Sequence, residues 1–290
     1  FDGSSIFDQT ESLTRSQSWT IPNLVAGASC DVTETQTMSA DSTKIVTTTG
    51  TDPSSTTNAA SVAGIVLAAD AGSTANTANI TNHYLTGTLV LDKVVTGAGA
   101  TDWGQGPFTI SVTCSLTDDS GTRSVLNETY SVTGSTGPIT IDDVASGADC
   151  TVQESKTVGA NSTTITFDAG APSTETTASF TSPVDTTMDV TVTNEYDEAT
   201  VNVVKTRDGD GAALYGAGPF QVSLSCTRPI DGVDTAFTVP GGATRALASP
   251  TYTATYTGLP AGATCDATEP KTGGATSTTI TAGTVAPPPA

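Results

Sequence analysis

Leu89-Val90-Leu91-Asp92-Lys93-Val94-Val95, followed by Gly104-Gln105-Gly106-Pro107-Phe108 and by Cys114, is the stretch on which the fold turns, because it comes back. Lys205, Gly216-Ala217-Gly218-Pro219-Phe220 and Cys226 each stand 112 positions further on. A second block, Ala145-Ser146-Gly147-Ala148-Asp149-Cys150-Thr151-Val152-Gln153-Glu154, recurs as Pro260 to Glu269 around Cys265 and as Val25 to Glu34 around Cys30. In all three copies Ser-Thr-x-Ile begins eight residues after the Glu, at Ser42, Ser162 and Ser277. A third block, Thr81-Asn82-His83-Tyr84, returns as Thr193-Asn194-Glu195-Tyr196. Self-similarity at a fixed period is the signature of a repeated structural unit.

The spacing predicts one complete repeat over residues 87–198, flanked by a repeat over 1–86 that lacks its opening strand and one over 199–290 that stops before its closing strand. Ser, Thr, Gly, Asn and Pro interrupt the chain every ten residues or so. Short Val-, Ile-, Leu- and Thr-rich runs fill the gaps. This is the pattern of short strands joined by turns, and Thr is a poor residue in helix interiors. The expected fold is all-β: tandem antiparallel β-sandwich repeats of immunoglobulin-like or prealbumin-like form. Only a few residues separate Asn194 from the next strand near Val201, so the row of sandwiches is expected to be semi-rigid.

Composition narrows the function. With 10 Lys and Arg against 30 Asp and Glu, the net charge is −20, and there is a single histidine. Nucleic acid and anionic membranes need a basic footprint that this chain does not have. One histidine, His83, with outward parity beside Asn82, supports neither a hydrolase triad nor a zinc cluster, and no cofactor or metal site is expected. Asp118-Asp119 and Asp142-Asp143 alternate faces and read as turn solvation. Arg207-Asp208-Gly209-Asp210-Gly211 resembles a calcium loop only in its alternating carboxylates; Asp-Gly is first of all a hairpin signal. No enzyme activity is expected.

Five cysteines leave one over. Cys114 with Cys150 and Cys226 with Cys265 stand at equivalent repeat positions and are expected to pair, with Cys30 finding its partner outside the chain. Five buried free thiols are the alternative. Disulfides imply an oxidising, extracellular setting.

Strand parity isolates three further residues. Residues two apart share a face. Lys93 therefore lies with Leu89, Leu91 and Val95; Glu154 lies with Cys150 and Val152; Asn194 lies with Val190, Val192 and Tyr196. A Lys, a Glu and an Asn thus point into one apolar core, where each alone costs several kcal/mol (~2–7 for an unpartnered polar group). Two readings are open. One is a hydrogen-bonded polar cluster, or a Lys that snorkels out at the strand end. The other is chemistry: burial lowers the Lys pKa and raises the Glu pKa, and the neutral amine attacks the Asn side-chain carbonyl, expelling ammonia.

The order of Lys on the first strand, Glu on a middle strand and Asn on the last, in a β-repeat of about 110 residues, resembles the prealbumin-like Cna B-type stalk modules of Gram-positive surface proteins. The Gly-Pro-Phe, Gly-Ala-x-Cys and Thr-Asn-x-Tyr blocks more closely resemble a cysteine-containing relative found in tandem in actinobacterial wall-anchored proteins. The resemblance covers nearly the whole chain. It implies an isopeptide bond between Lys93 and Asn194 assisted by Glu154, with Lys205 and Glu269, and Glu34 and Asn82, as incomplete sets. It departs from the Cna B-type pattern after the Glu, where Ser155-Lys156-Thr157 or Pro270-Lys271-Thr272 stands in place of Ala-Pro-x-Gly-Tyr. The function implied is a structural stalk or fibre segment of an extracellular, cell-surface protein, whose partners are neighbouring repeats and like copies. The alternative is an adhesin module that recognises a glycan or host protein through sandwich-end loops. Such a module needs exposed aromatics there, for which Trp19 and Trp103 are the candidates.

Overall fold

The computed structural model describes residues 8–50, 55–69, 76–118 and 120–282; Asp119 of the second acidic pair lies outside them. The chain divides into two compact units, 1–84 and 85–290.

In the first unit, β1 (Ser29–Thr33) pairs with β4 (Ser61–Val66), and β2 (Ser42–Thr48) pairs with both β3 (Ser55–Thr57) and β5 (Thr77–His83), all antiparallel. Alternation along β2 turns Thr43, Ile45 and Thr47 inward.

The second unit opens with β6 (Thr86–Thr96), the one-turn helix α1 (Ala100–Trp103), β7 (Phe108–Asp118) and β8 (Gly121–Val132). It continues with β9 (Ile139–Ala145), β10 (Asp149–Lys156), β11 (Ser162–Phe167), β12 (Thr177–Thr181) and β13 (Thr187–Glu195). These strands make two four-stranded sheets, ordered β11-β13-β6-β9 and β12-β10-β7-β8. Both contribute to one core, including Leu89, Leu91, Phe108, Ile110, Val152, Val190 and Val192. Buried and exposed positions alternate along β6, β7, β10 and β13, as two-residue periodicity requires when one face covers a core.

One ladder departs from the antiparallel expectation: β13 and β6 run parallel, with Val192 opposite Lys93 and Asn194 opposite Val95. The chain leaves this sheet to run as β12 in the other and then re-enters beside β6 from the same end, Thr187 meeting Thr88. This crossover sets the Lys and the Asn on neighbouring strands, two residues apart in register.

Two residues after β13, the chain starts β14 (Glu198–Val204), then α2 (Ala212–Tyr215), β15 (Phe220–Ile230), β16 (Val233–Phe237), β17 (Thr244–Leu247), β18 (Thr253–Pro260) and β19 (Thr264–Thr272). β14 pairs with β18, and β15 pairs with β16, β17 and β19. A second core gathers Phe220, Val222, Leu224, Tyr256 and Leu259.

Gly104 shows what the Gly-x-Gly-Pro-Phe block does. A Cβ there would stand 2.6 Å from Val95 and 2.9 Å from Tyr196, so only glycine lets this loop close over the ends of the first and last strands. The block then delivers Phe108, and in the second copy Phe220, into the cores.

Candidate cross-linking site

Lys93 on β6, Glu154 on β10 and Asn194 on β13 meet inside the first sandwich of the second unit. They are 4%, 2% and 0% exposed, which makes this a dry site rather than a snorkelling lysine. Lys93 Nζ lies 3.1 Å from Glu154 Oε1. Asn194 Nδ2 donates to the same oxygen at 3.1 Å. The amine and the amide nitrogen are thus held on one carboxylate oxygen. Lys93 Nζ also donates to the Val192 carbonyl at 3.3 Å and sits 4.6 Å from the centre of the Phe108 ring. Glu154 Oε2 is buried with no hydrogen-bond partner.

Burial dominates the electrostatics. It pulls the Lys93 pKa from 10.5 down to about 8, against the opposing pull of the Glu154 charge. It also raises Glu154, against Lys93 and Asn194, with a smaller upward push from Asp231. Both shifts favour the neutral pair, amine and carboxylic acid.

Two groups that the sequence reading passed over complete the site. Thr163 Oγ1 donates to Asn194 Oδ1 at 3.0 Å, so the amide carbonyl carries a hydrogen bond on its oxygen. The Thr157 carbonyl accepts from Asn194 Nδ2 at 3.4 Å and from the Tyr196 hydroxyl. Thr163 had a signal: it is the Thr of the recurring Ser-Thr-x-Ile block and shares inward parity with Ile165. Thr157 had none, because it acts through its backbone.

The incomplete sets show the same parts. In the first unit, Asn82 Nδ2 donates to Glu34 Oε1 at 2.7 Å, and Thr43 Oγ1 donates to Asn82 Oδ1 at 2.9 Å, the counterpart of the Thr163 contact. In the second unit, Lys205 Nζ lies 2.8 Å from Glu269 Oε2 and 5.2 Å from the Phe220 ring centre. Its side chain is 15% exposed, against 1% for Lys93.

Cys114 is bonded to Cys150 across β7 and β10, and Cys226 to Cys265 across β15 and β19; Cys30 is a half-buried free thiol. Among the described residues no group of three or more His, Cys, Asp or Glu gathers in one place. Asp208 instead accepts from the Gly209 backbone at 2.8 Å. His83 is exposed at the end of β5. Trp103 packs edge-on against Phe237, with ring centres 5.1 Å apart, whereas its repeat counterpart Tyr215 is 80% exposed. The difference has a physical cause: the repeat that follows Trp103 covers it with Phe237 and Arg228. No helix among the described residues is long and apolar enough to cross a membrane.

Among curated proteins none matches. Solved structures that match include a pilus-presented adhesin, at 17% identity over 38% of this chain and 28% of that one, with a TM-score of 0.27. A bacterial adhesin from Mobiluncus mulieris, described as containing intramolecular disulfide, isopeptide and ester bond cross-links, is 16% identical over 51% of this chain and 54% of that one, with a TM-score of 0.29. A major pilin protein from Streptococcus pyogenes is 12% identical over 59% of this chain and 98% of that one, with a TM-score of 0.31. The chain therefore spans 28% of the length of the first of these and 54% of the second. The chain itself is all-β and built in tandem. Residues 2–85, 89–197 and 201–289 each match the family described as Domain of unknown function (DUF5979), and the chain belongs to that family.

Proposed function

We propose that this chain is a load-bearing segment of the stalk or fibre of an extracellular, cell-surface protein. Its repeats, bounded at about 86/87 and 198/199, are stapled by disulfides, and the middle one is closed by an isopeptide bond between Lys93 and Asn194. The observation that carries this reading is the convergence of Lys93 Nζ and Asn194 Nδ2 on Glu154 Oε1 in a site from which water is excluded.

The chemistry follows from the geometry. Glu154 takes a proton from the Lys93 ammonium, leaving a neutral amine beside a carboxylic acid. Nζ attacks Cγ of Asn194, and charge developing on Oδ1 is met by the Thr163 hydroxyl. Glu154 then gives its proton to Nδ2, which it already contacts, and takes one from Nζ. The Cγ–Nδ2 bond breaks, ammonia departs, and the Nζ–Cγ amide remains beside a protonated Glu154. The reaction occurs once and within the chain, so this is self-modification and no turnover is implied. The Mobiluncus mulieris adhesin, whose description includes disulfide and isopeptide cross-links, offers a precedent for both staples in one protein.

Peptide mapping tests this. Digestion of the native chain is expected to yield one branched peptide joining the segments around Lys93 and Asn194. The Glu154→Ala chain is expected to yield the two linear peptides with Asn194 intact. Linear peptides from the native chain would defeat the cross-link and leave a hydrogen-bonded core.

A further inference from the structure

We infer that Asp231, which belongs to the following repeat, is a positioning residue for amide formation between Lys93 and Asn194, so that cross-linking of 87–198 depends on docking of the next sandwich. This rests on the proposed cross-link. The argument starts at Thr157, whose carbonyl accepts from Asn194 Nδ2 and from Tyr196. Thr157 opens the loop between β10 and β11. The next residue, Val158, has φ of 57°, and Gly159 has φ of 76°. A β-branched residue in the left-handed region is strained and persists only where its surroundings hold it.

The hold comes from the neighbouring repeat. Asp231, in the turn between β15 and β16, accepts from Thr157 N at 3.0 Å and from Val158 N at 3.2 Å through one oxygen, Oδ1. Gly159 is pressed against the same hairpin: a Cβ there would stand 2.7 Å from the Pro229 carbonyl. The other end of the loop is clasped too. Asn161 Nδ2 donates to the Ala261 carbonyl at 3.1 Å, while Asn161 Oδ1 accepts from Asp197 N at 2.7 Å. A third contact seats the hairpin: the Arg228 guanidinium lies 5.0 Å from the Trp103 ring centre and donates to the Trp103 carbonyl at 3.3 Å.

The Thr157 carbonyl that fixes the Asn194 amide is therefore set by a loop whose strained backbone is capped from outside its own sandwich. Without Asp231 two backbone N–H groups lose their acceptor, Val158 relaxes, and the Thr157 carbonyl moves off Asn194. A misplacement of about 1 Å at a reacting group slows chemistry by up to about a hundredfold.

The test follows the full chain in timed samples after synthesis and reads, by intact mass under denaturation, the fraction that has lost one ammonia. Asp231→Ala is expected to slow the loss about ten- to a hundredfold. Asp231→Asn keeps an Oδ1 acceptor and is expected to stay within about twofold of the native rate, as is Asp234→Ala on the same hairpin. Native rates in Asp231→Ala, or equal slowing by Asp231→Asn or Asp234→Ala, overturn the assignment while leaving the cross-link itself standing. If the native chain never loses ammonia, the cross-link fails and this inference falls with it.

Discussion

Lys93 and Glu154 share one labile proton in the reactive form of the pair, and the shifts of both groups decide when that form exists. On the alkaline side of the lowered Lys93 pKa of about 8 the pair gives up its remaining proton, and nothing is left to protonate the departing Nδ2. Below the raised Glu154 pKa, which lies above the ordinary 4.5, the amine and the acid both carry protons and no nucleophile is present. The rate of ammonia loss after refolding from an acid-trapped state should therefore trace a bell between these limits, whose limbs belong to the coupled pair. A rate that climbs steadily through pH 9 would show that Glu154 acts as a base alone. Thr163→Val removes the donor on Asn194 Oδ1 and should slow the reaction about 10²- to 10³-fold. The check is the same mass assay; an unchanged rate would place the charge stabilisation elsewhere.

Strands carry the next level of the account. β7 and β10 hold Cys114 directly opposite Cys150 and, a few residues along, Glu154 opposite Ile110, so the disulfide and the reactive carboxyl share one ladder. Replacing both cysteines by alanine opens a loop of 36 residues. By the chain-entropy argument this should lower the unfolding free energy by about 4 kcal/mol. Denaturant melts of the Glu154→Ala chain with and without the cysteines would measure it, and a difference under about 1 kcal/mol would mean that the ladder, not the staple, holds these strands. The inward set of Lys93, Glu154 and Asn194 was legible because parity needs only neighbours in sequence. The contacts of Lys205 with Glu269 and of Asn82 with Glu34 followed from repeat offsets alone. The parallel run of β6 and β13 was not legible, since it depends on a crossover through β12 that no local pattern records. Asp231 escaped for a similar reason: its partners at Thr157 and Val158 belong to another repeat.

At the scale of the molecule, the proposed stalk role would bring tension into and out of the middle sandwich through its first and last strands. A bond between Lys93 and Asn194 passes force from β6 to β13 directly and shields the chain between them. Roughly 100 residues at about 3.3–3.6 Å each amount to about 330–360 Å of length that cannot be pulled out. Under reducing conditions, Glu154→Ala should release that extra length in force-extension traces and the native chain should not; equal lengths would mean that the sandwich bears load through hydrogen bonds alone. Trp103 joins the middle repeat to the one that follows it through Arg228 and Phe237. The measurement that bears most directly on the account is the intact mass of the denatured chain before and after reduction. The account predicts a deficit of one ammonia that survives reduction, with only the hydrogens of the two disulfides regained. The full mass of the unmodified sequence after reduction would contradict it.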